Sequence, residues 1–398
     1  MYQAKHSITL LFNANKVYDR RIIEGIGHYL QSSKADWDLY LEEDFVASLN
    51  QLSLTKCDGV IADFDDPEIA RACENLEVPV IAVGSSYQDV SQYPDKPYVA
   101  TDNFAVVQAA YEHLKQKGLD RFAFYSVPID QQHRWAKERE EAIQQLCQQD
   151  GYTCSIYRGY CTKPQTWQYS MNRLTEWIAS LPNPVGILSV TDARARYLLQ
   201  ACDHLGKVVP DQVSIIGIDD DDIARHLSRI SLSSVTQGCF DMGFQAARLL
   251  HNRLDNPTLK NKVVTIPPIG VAQRQSTDFQ ALQDPYVIQA MHYIRQNACR
   301  GIKVEQVLAF VGVSRSNLEQ RFKQEQGYSI HHEIHVQKLE RACELLVKTV
   351  DSAEKISRAS GYPSLQYMYA VFKKHFGITP KQYRDQNTTS DAQLELCD

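Results

Sequence analysis

The chain has 398 residues, 43% hydrophobic and 23% charged, with a formal net charge of −6. That composition fits folded globular material with room for two or three cored domains, and it excludes disordered and fibrous classes. No run reaches the roughly 20 uninterrupted apolar residues that a bilayer requires, because charges or Gly/Pro break each one, so no membrane partner is expected.

In chain order, Met1 to Phe12 carry Lys5 and His6 into a short apolar stretch with no small-residue cleavage site behind it, so no secretory signal and a cytoplasmic location are expected. Short apolar runs then alternate with helical patterns, the signature of a mostly parallel sheet covered on both faces. Strands are predicted at Ile8–Phe12, Leu39–Glu42, Gly59–Asp63, Val80–Val83, Phe122–Tyr125, Ile187–Val190 and Val213–Ile218. Helices are predicted at Phe104–Lys117, Ala136–Gln149, Trp167–Ser180, Ala193–Leu205 and Asp241–Leu254, each with apolar residues three or four apart. These units are too many for one sheet, so residues 1–274 read as two α/β lobes. The ten cysteines, Cys57 to Cys397, show neither CxxC pairs nor regular His spacing, and read as reduced thiols without a metal or cofactor.

Residues 275–284 carry no sustained period and read as a linker, with Pro285 opening the next helix. Residues 285–386 are all-helical in pattern, and 387–398 read as a frayed tail. Over 284–385 there are 15 Lys+Arg against 10 Asp+Glu, so the positive charge of an acidic chain collects at one end. Such a split suits an anionic partner there, since phosphates reward cations by counterion release.

Within that end, Ser314, Leu318, Phe322, Lys323 and Gly327 recur fifty residues later as Ser364, Met368, Phe372, Lys373 and Gly377. Each copy is preceded by a short amphipathic helix and a Gly-containing turn: Val304–Val311 before Gly312, and Ala353–Ser360 before Gly361. This is helix-turn-helix grammar, written twice. Leu318 and Phe322, or Met368 and Phe372, would face a core. The free side would then carry Arg315, Ser316, Asn317, Glu319, Gln320 and Lys323 in the first copy, and Ser364, Leu365, Gln366, Tyr369, Lys373 and Lys374 in the second, groups that suit base edges and phosphates. A plain helical bundle is the competing reading. The segments VSRSNLEQRFKQEQGYSIHHEI and KISRASGYPSLQYMYAVFKKHFGITPKQYR resemble the AraC/XylS family DNA-binding domain, over about a quarter of the chain. The resemblance implies two units in successive major grooves of double-stranded promoter DNA, joined by a long helix at His335–Leu346, with the acidic Glu319 a departure on the reading face.

The first 270 residues or so resemble the LacI/GalR sensors and their periplasmic sugar-binding relatives through DGVIAD, VPVIAVG, VATDNFAVVQAAYEHLKQKG, VTDA, VPDQVSIIGIDD, LSSVTQ, MGFQAARLL and RQST, in the family's order. The implied fold is a two-lobe periplasmic-binding-protein-like sensor, here without that family's N-terminal helix-turn-helix. Polyols are held by carboxylates, by Asn or Arg donors and by aromatic faces, which converge at strand ends. Strand ends carry Asn13, Asp66, Asp192 and Asp219, with Phe12 as a ring face; Asp192 and Asp219 fall where the resembled family places ligand residues, and Arg134 with Trp135 falls near its ligand-contacting arginine. Helix capping is the alternative for Asp65, Asp66 and Asp192.

The fusion of such a sensor to such a reader, from HSITLLFNANKVYDR to the C-terminal signature, resembles the activators of bacterial D-xylose operons. That implies D-xylose as ligand, activation of genes for its uptake and use through RNA polymerase, and a homodimer, built as in the resembled sensors on the lobe carrying Asp19–Leu30 and Leu39–Leu41. The rival reading is a sugar-acting enzyme using the paired acids at Asp65/Asp66 and Asp219 to Asp222, but no phosphate-binding Gly-rich loop or nucleophile elbow accompanies them.

Overall fold

The Val-, Ile- and Ala-rich runs of the first half pair side by side because both their faces are apolar, and the amphipathic segments between them supply the cover. A computed structural model describes residues 5–33, 35–41, 57–87, 89–128, 133–160, 163–278 and 284–394. The chain divides into two units, Met1–Ala281 and Leu282–Asp398.

The first unit holds two six-stranded sheets. Strands β1 (His6–Leu11), β2 (Trp37–Leu41), β3 (Gly59–Asp63), β4 (Val80–Ser85) and β5 (Tyr98–Thr101) start the first sheet. The chain then builds β6 (Phe122–Tyr125), β7 (Cys154–Tyr157), β8 (Val185–Ser189), β9 (Val213–Ile218) and β10 (Ser233–Thr236) of the second sheet, returns for β11 (Val263–Ile266) and ends with β12 (Gly270–Ala272). The spatial orders are β11-β5-β4-β3-β1-β2 and β12-β10-β9-β8-β6-β7. All pairings are parallel except β10 with β12. The chain therefore passes between lobes three times, after β5, after β10 and after β11. These crossings touch: Asp102 N donates to Ile266 O at 3.1 Å, and a Cβ on Gly238 would lie 2.5 Å from both Ile266 Cγ2 and Pro267 O.

Every residue of β3, β4, β8 and β9 is buried, which is why these strands read as unbroken apolar runs; β5 is equally buried but short. The sequence reading missed β5, β7, β10, β11 and β12, all four residues or fewer and several polar or half-exposed. Its Glu42 lies outside the described residues, and β2 ends at Leu41. In the first lobe, helices Val17–Ser32 and Cys239–Asp255 meet backbone to backbone: a Cβ on Gly25 would lie 2.0 Å from Phe240 O, and one on Gly243 1.9 Å from Ile22 O.

The proposed linker needs correction at its start. Gln275–Thr277 forms a short turn whose Ser276 and Thr277 are buried in the second lobe, with Ser276 Oγ donating to Ile215 O at 2.6 Å and Thr277 Oγ1 to Ser233 Oγ at 2.7 Å. Residues 279–283 lie outside the described residues. Asp284 then caps helix Pro285–Asn297 through Tyr286 N and Val287 N. The second unit continues with helices Val304–Val311, Arg315–Gln326, Ile330–Lys348, Ala353–Ala359, Leu365–Phe376 and Pro380–Leu394. The last helix runs well into the segment expected to fray. Among the described residues no helix is long and apolar enough to cross a membrane.

Candidate ligand cleft and nucleic-acid interface

Parallel strands bring their C-terminal ends to one edge, and here both lobes turn that edge toward one cleft. Helix Arg134–Gln149 of the second lobe reaches across it. Arg134 Nη2 donates to Asp65 Oδ1 (2.8 Å), to Tyr98 Oη (2.8 Å) and to Ser85 O (3.1 Å), all in the first lobe, while its guanidinium lies 3.7 Å from the Tyr87 ring centre. Arg134 Nε is buried and has no partner among the described residues. One turn later Glu138 accepts from Asn103 Nδ2 (2.8 Å) and Ser86 Oγ (3.3 Å).

Arg139, only 4% exposed, sits at the centre. Its Nε donates to Asn103 Oδ1 on the first crossing (2.8 Å), its Nη1 to Val190 O (2.8 Å) and its Nη2 to Gln237 Oε1 on the second crossing (3.1 Å). Gln237 Nε2 in turn donates to Asp219 Oδ1 at 2.7 Å. One buried cation thus ties two of the three crossings to the strand end that holds Asp219.

Asp219 and Asp220 have φ of 118° and 54°, a left-handed pair that non-glycine residues hold only under constraint. Asp192 supplies it: its Oδ2 accepts from Asp221 N (2.8 Å) and its Oδ1 from Ser234 Oγ (2.7 Å). Gly217 leaves room for that carboxylate, since a Cβ there would lie 1.9 Å from Asp192 Oδ1. Arg274 completes the brace with Asp220 at 2.6 Å.

Burial controls the charge of these acids. It pushes Asp219 up to about 6 against the pull of Arg139 and Gln237, and Glu138 up to about 7 against Asn103 and Arg134. On the first-lobe side burial, with the like charges of Asp19 and Asp65, pushes Asp63 up to about 8 despite Lys16. Carboxyl groups that hold a proton near neutrality both donate and accept, which matches a hydroxyl-rich neutral ligand.

The expected ligand residues separate on inspection. Arg134, Trp135 and Asp219 reach the cleft, with Trp135 beneath the Arg139 guanidinium at 5.1 Å. Asn13 is partly buried and forms the turn into helix Val17–Ser32, its Oδ1 accepting from Asn15 N. Three expectations need correction. Asp66 is a helix cap, accepting from Glu68 N and Ile69 N. Asp192 spends one oxygen on Asp221 N of the Asp219 loop and the other on Ser234 Oγ of β10. Phe12, 1% exposed, is sealed in the first-lobe core with Ile22 and Ile26. Sequence reasoning missed Lys16, Asp63, Asn103, Glu138, Arg139 and Gln237. The only signal for Glu138 and Arg139 was their i+4 spacing from Arg134 and Trp135, which puts all four on adjoining faces of one helix.

In the second unit the fifty-residue repeat is a structural repeat. Ser314 and Ser364 are N-caps accepting from Asn317 N and Tyr367 N, and Gly327 and Gly377 end the helices at φ of 81° and 72°. Leu318, Phe322, Met368 and Phe372 are fully buried. The repeat runs further than the sequence signal: Ser329 and Thr379 cap the following helices through His332 N and Gln382 N. Gly361 is irreplaceable by geometry, with φ of 73° and Ala298 O only 2.7 Å from a Cβ.

Arg315, Ser316, Asn317, Gln320 and Lys323 are exposed and Glu319 partly so; Ser364, Gln366, Lys373 and Lys374 are exposed and Tyr369 partly so. Arg315 meets Glu305 at 3.3 Å across solvent, Asn317 Oδ1 accepts from Arg321 Nε at 2.8 Å, and Lys373 Nζ donates to Gly377 O at 3.2 Å. Leu365 is a correction: it packs against the core around Met368 and Phe372 rather than standing on the free side.

Three family models match the chain: XylR N-terminal domain over residues 7–104, periplasmic binding protein-like domain over 111–277, and helix-turn-helix domain over 307–386. The xylose operon regulatory protein of Escherichia coli strain K12 is 52% identical over 388 residues, 98% of this chain and 99% of that protein. The protein of the same name from Haemophilus influenzae is 47% identical, over 96% of this chain and 99% of its own length. A solved structure of a xylose-binding transcription activator superposes with a TM-score of 0.88 at 51% identity, covering 98% of this chain and 100% of the other.

Proposed function

From a chain that belongs to the family of xylose operon regulatory proteins, ligand-responsive transcription regulators rather than enzymes, we propose a D-xylose-dependent activator whose sensor cleft holds the pentose and whose two helix-turn-helix units hold promoter DNA. The single observation that carries this reading is Arg139. Its guanidinium joins two interlobe crossings to Asp219, so a ligand that draws on Asp219 or Arg139 changes the bonds that set the hinge. The pentose takes donors from Arg139 and Arg134, donates to Asp219 and the Asp63/Asp65 pair, and lays a C–H face near Trp135. Binding energy realised in one hinge setting shifts the population toward it, and DNA favouring the same setting strengthens sugar binding by the same factor.

The active species is a cytoplasmic homodimer that recruits RNA polymerase. The edge strand β2 supports the first lobe as its meeting face, with Tyr40 and Leu41 43% and 36% exposed. Helix Val17–Ser32 contributes less than its sequence suggests, because its glycine face is already closed by helix Cys239–Asp255.

Calorimetric titration of the full chain with pentoses and hexoses, with and without promoter DNA, tests the coupling. D-Xylose is expected to bind, to tighten promoter binding and to raise transcript yield in a reconstituted reaction. Equal promoter affinity with and without pentose refutes the coupling.

A further inference from the structure

Arg274 to Thr277 lie at the end of the sensor unit, and beyond them the chain leads to Asp284, the cap of the second unit's first helix. This exit segment is fastened to three elements whose other ends lie at the cleft. Helix Asn103–Gln116 starts with Asn103, the acceptor of Arg139 Nε. About three turns later it presents His113, whose Nε2 lies 2.7 Å from Thr277 Oγ1. Strand β9 runs into Asp219 and, at Ile215, offers the carbonyl that accepts from Ser276 Oγ at 2.6 Å. Strand β10 runs into Gln237 and opens with Ser233, whose Oγ accepts from Thr277 Oγ1 at 2.7 Å and whose N donates to Ser276 Oγ at 2.8 Å. His113, Ser233, Ser276 and Thr277 are all buried.

The protons along this junction run one way. Ser233 Oγ gives its only proton to Arg274 O at 2.9 Å, so it accepts from Thr277. Thr277 Oγ1, its own proton spent, accepts in turn from His113 Nε2. One hydroxyl thus bridges the helix that starts at Asn103 and the strand that ends at Gln237, the two partners of Arg139 on the crossings. Packed helices slide by roughly 1–2 Å in switching transitions, and a buried hydrogen bond of this length does not survive such a slide. A sugar that alters the bonds of Arg139 shifts Asn103 against Gln237, and rigid elements carry the same shift to His113 and Ser233. Resting on the sugar-dependent reading above, we propose that the His113–Thr277–Ser233 junction is the output latch of the sensor. It is closed in one hinge setting and open in the other, so the state of the cleft decides whether the segment leading to the DNA-binding unit is held. Thr277 and His113 are positioning residues: they act on the promoter through the exit segment and touch neither sugar nor DNA.

Promoter affinity of the full chain, measured with and without D-xylose in wild type and variants, tests the latch. Thr277→Val keeps the branched shape and removes the hydroxyl. A buried hydrogen bond is worth about threefold to tenfold in an equilibrium, so the factor by which D-xylose tightens promoter binding should fall by about that much in T277V. D-Xylose binding to the DNA-free chain should persist and change by less than this factor does, and T277S, which keeps the hydroxyl, should restore the wild-type factor. H113F removes the same bond from the helix side and should give the same loss, so the test does not hang on the folding of one variant. The double variant H113F/T277V should lose no more than either single, because the bond is already gone. A T277V or H113F chain that keeps the full factor overturns the latch, as does a sugar affinity that changes more than the factor, which would place the junction in the sugar site. Additive losses in the double variant overturn it equally. If the wild-type chain shows no tightening, the sugar-dependent reading itself fails, and the latch with it; tightening in wild type that T277V keeps in full removes the latch alone.

Discussion

Asp219 illustrates how one residue acquires a role from three others. A carboxylate at a strand end is common, but this one is held at positive φ by Asp192, bonded by Gln237 and faced by Arg139. Asp219→Asn keeps size and shape but removes the charge and turns one acceptor oxygen into a donor, so D-xylose affinity should fall about tenfold to a hundredfold, the cost of an unmatched buried partner; titration calorimetry reads it, and unchanged affinity removes Asp219 from the site. The protonation of the cleft gives a second expectation. Glu138 has its folded value raised to about 7 from an ordinary 4.5. Its stabilising share is therefore fully present below the unfolded value and is lost as pH rises through about 7. Asp63 and Asp219 are raised in the same direction, so the sensor should melt at a higher temperature at pH 6 than at pH 8, and Glu138→Gln should flatten that slope. A steeper slope in the variant would contradict the assignment. Asp66 shows the limit of residue-by-residue reading: it sits one position past Asp65, yet one faces Arg134 and the other caps a helix.

At the scale of elements, the reading helices are legible because burial and capping repeat at fixed offsets. A serine cap, two apolar residues four apart and a left-handed glycine define both helices, and each of these features depends on local geometry alone. Arg315 stands exposed at the start of the first of them, and its contact with Glu305, 63% and 66% exposed, is too open to hold it. Arg315→Ala should weaken promoter binding and lower the slope of log affinity against log salt by about 0.9 per protomer, one phosphate contact. An unchanged slope places that side chain in solvent. Leu365 was misassigned for a physical reason: an apolar residue in the first turn of a reading helix has a free side only if no neighbour covers it, and the core around Phe372 does. The missed strands share another cause, since four-residue runs such as Ser233–Thr236 owe their conformation to the neighbours they pair with.

For the whole molecule, the proposed dimer should appear as twice the chain mass in light scattering at assay concentration, and a single-chain mass would remove β2 as a meeting face. The sequence by itself determined the class of both halves: buried parallel strands write unbroken apolar runs, amphipathic helices write a period, and the duplicated reader writes itself twice. It also marked Arg134, Trp135 and Asp219. Only the tertiary structure decided that Arg139, Asn103 and Gln237 meet, because they lie on a helix and two crossings far apart in the chain. It likewise showed that Asp192 braces rather than faces the cleft. Periodicity reports which face of an element is apolar, a local property; which polar groups converge depends on how three crossings fold two lobes together, and no local pattern encodes that.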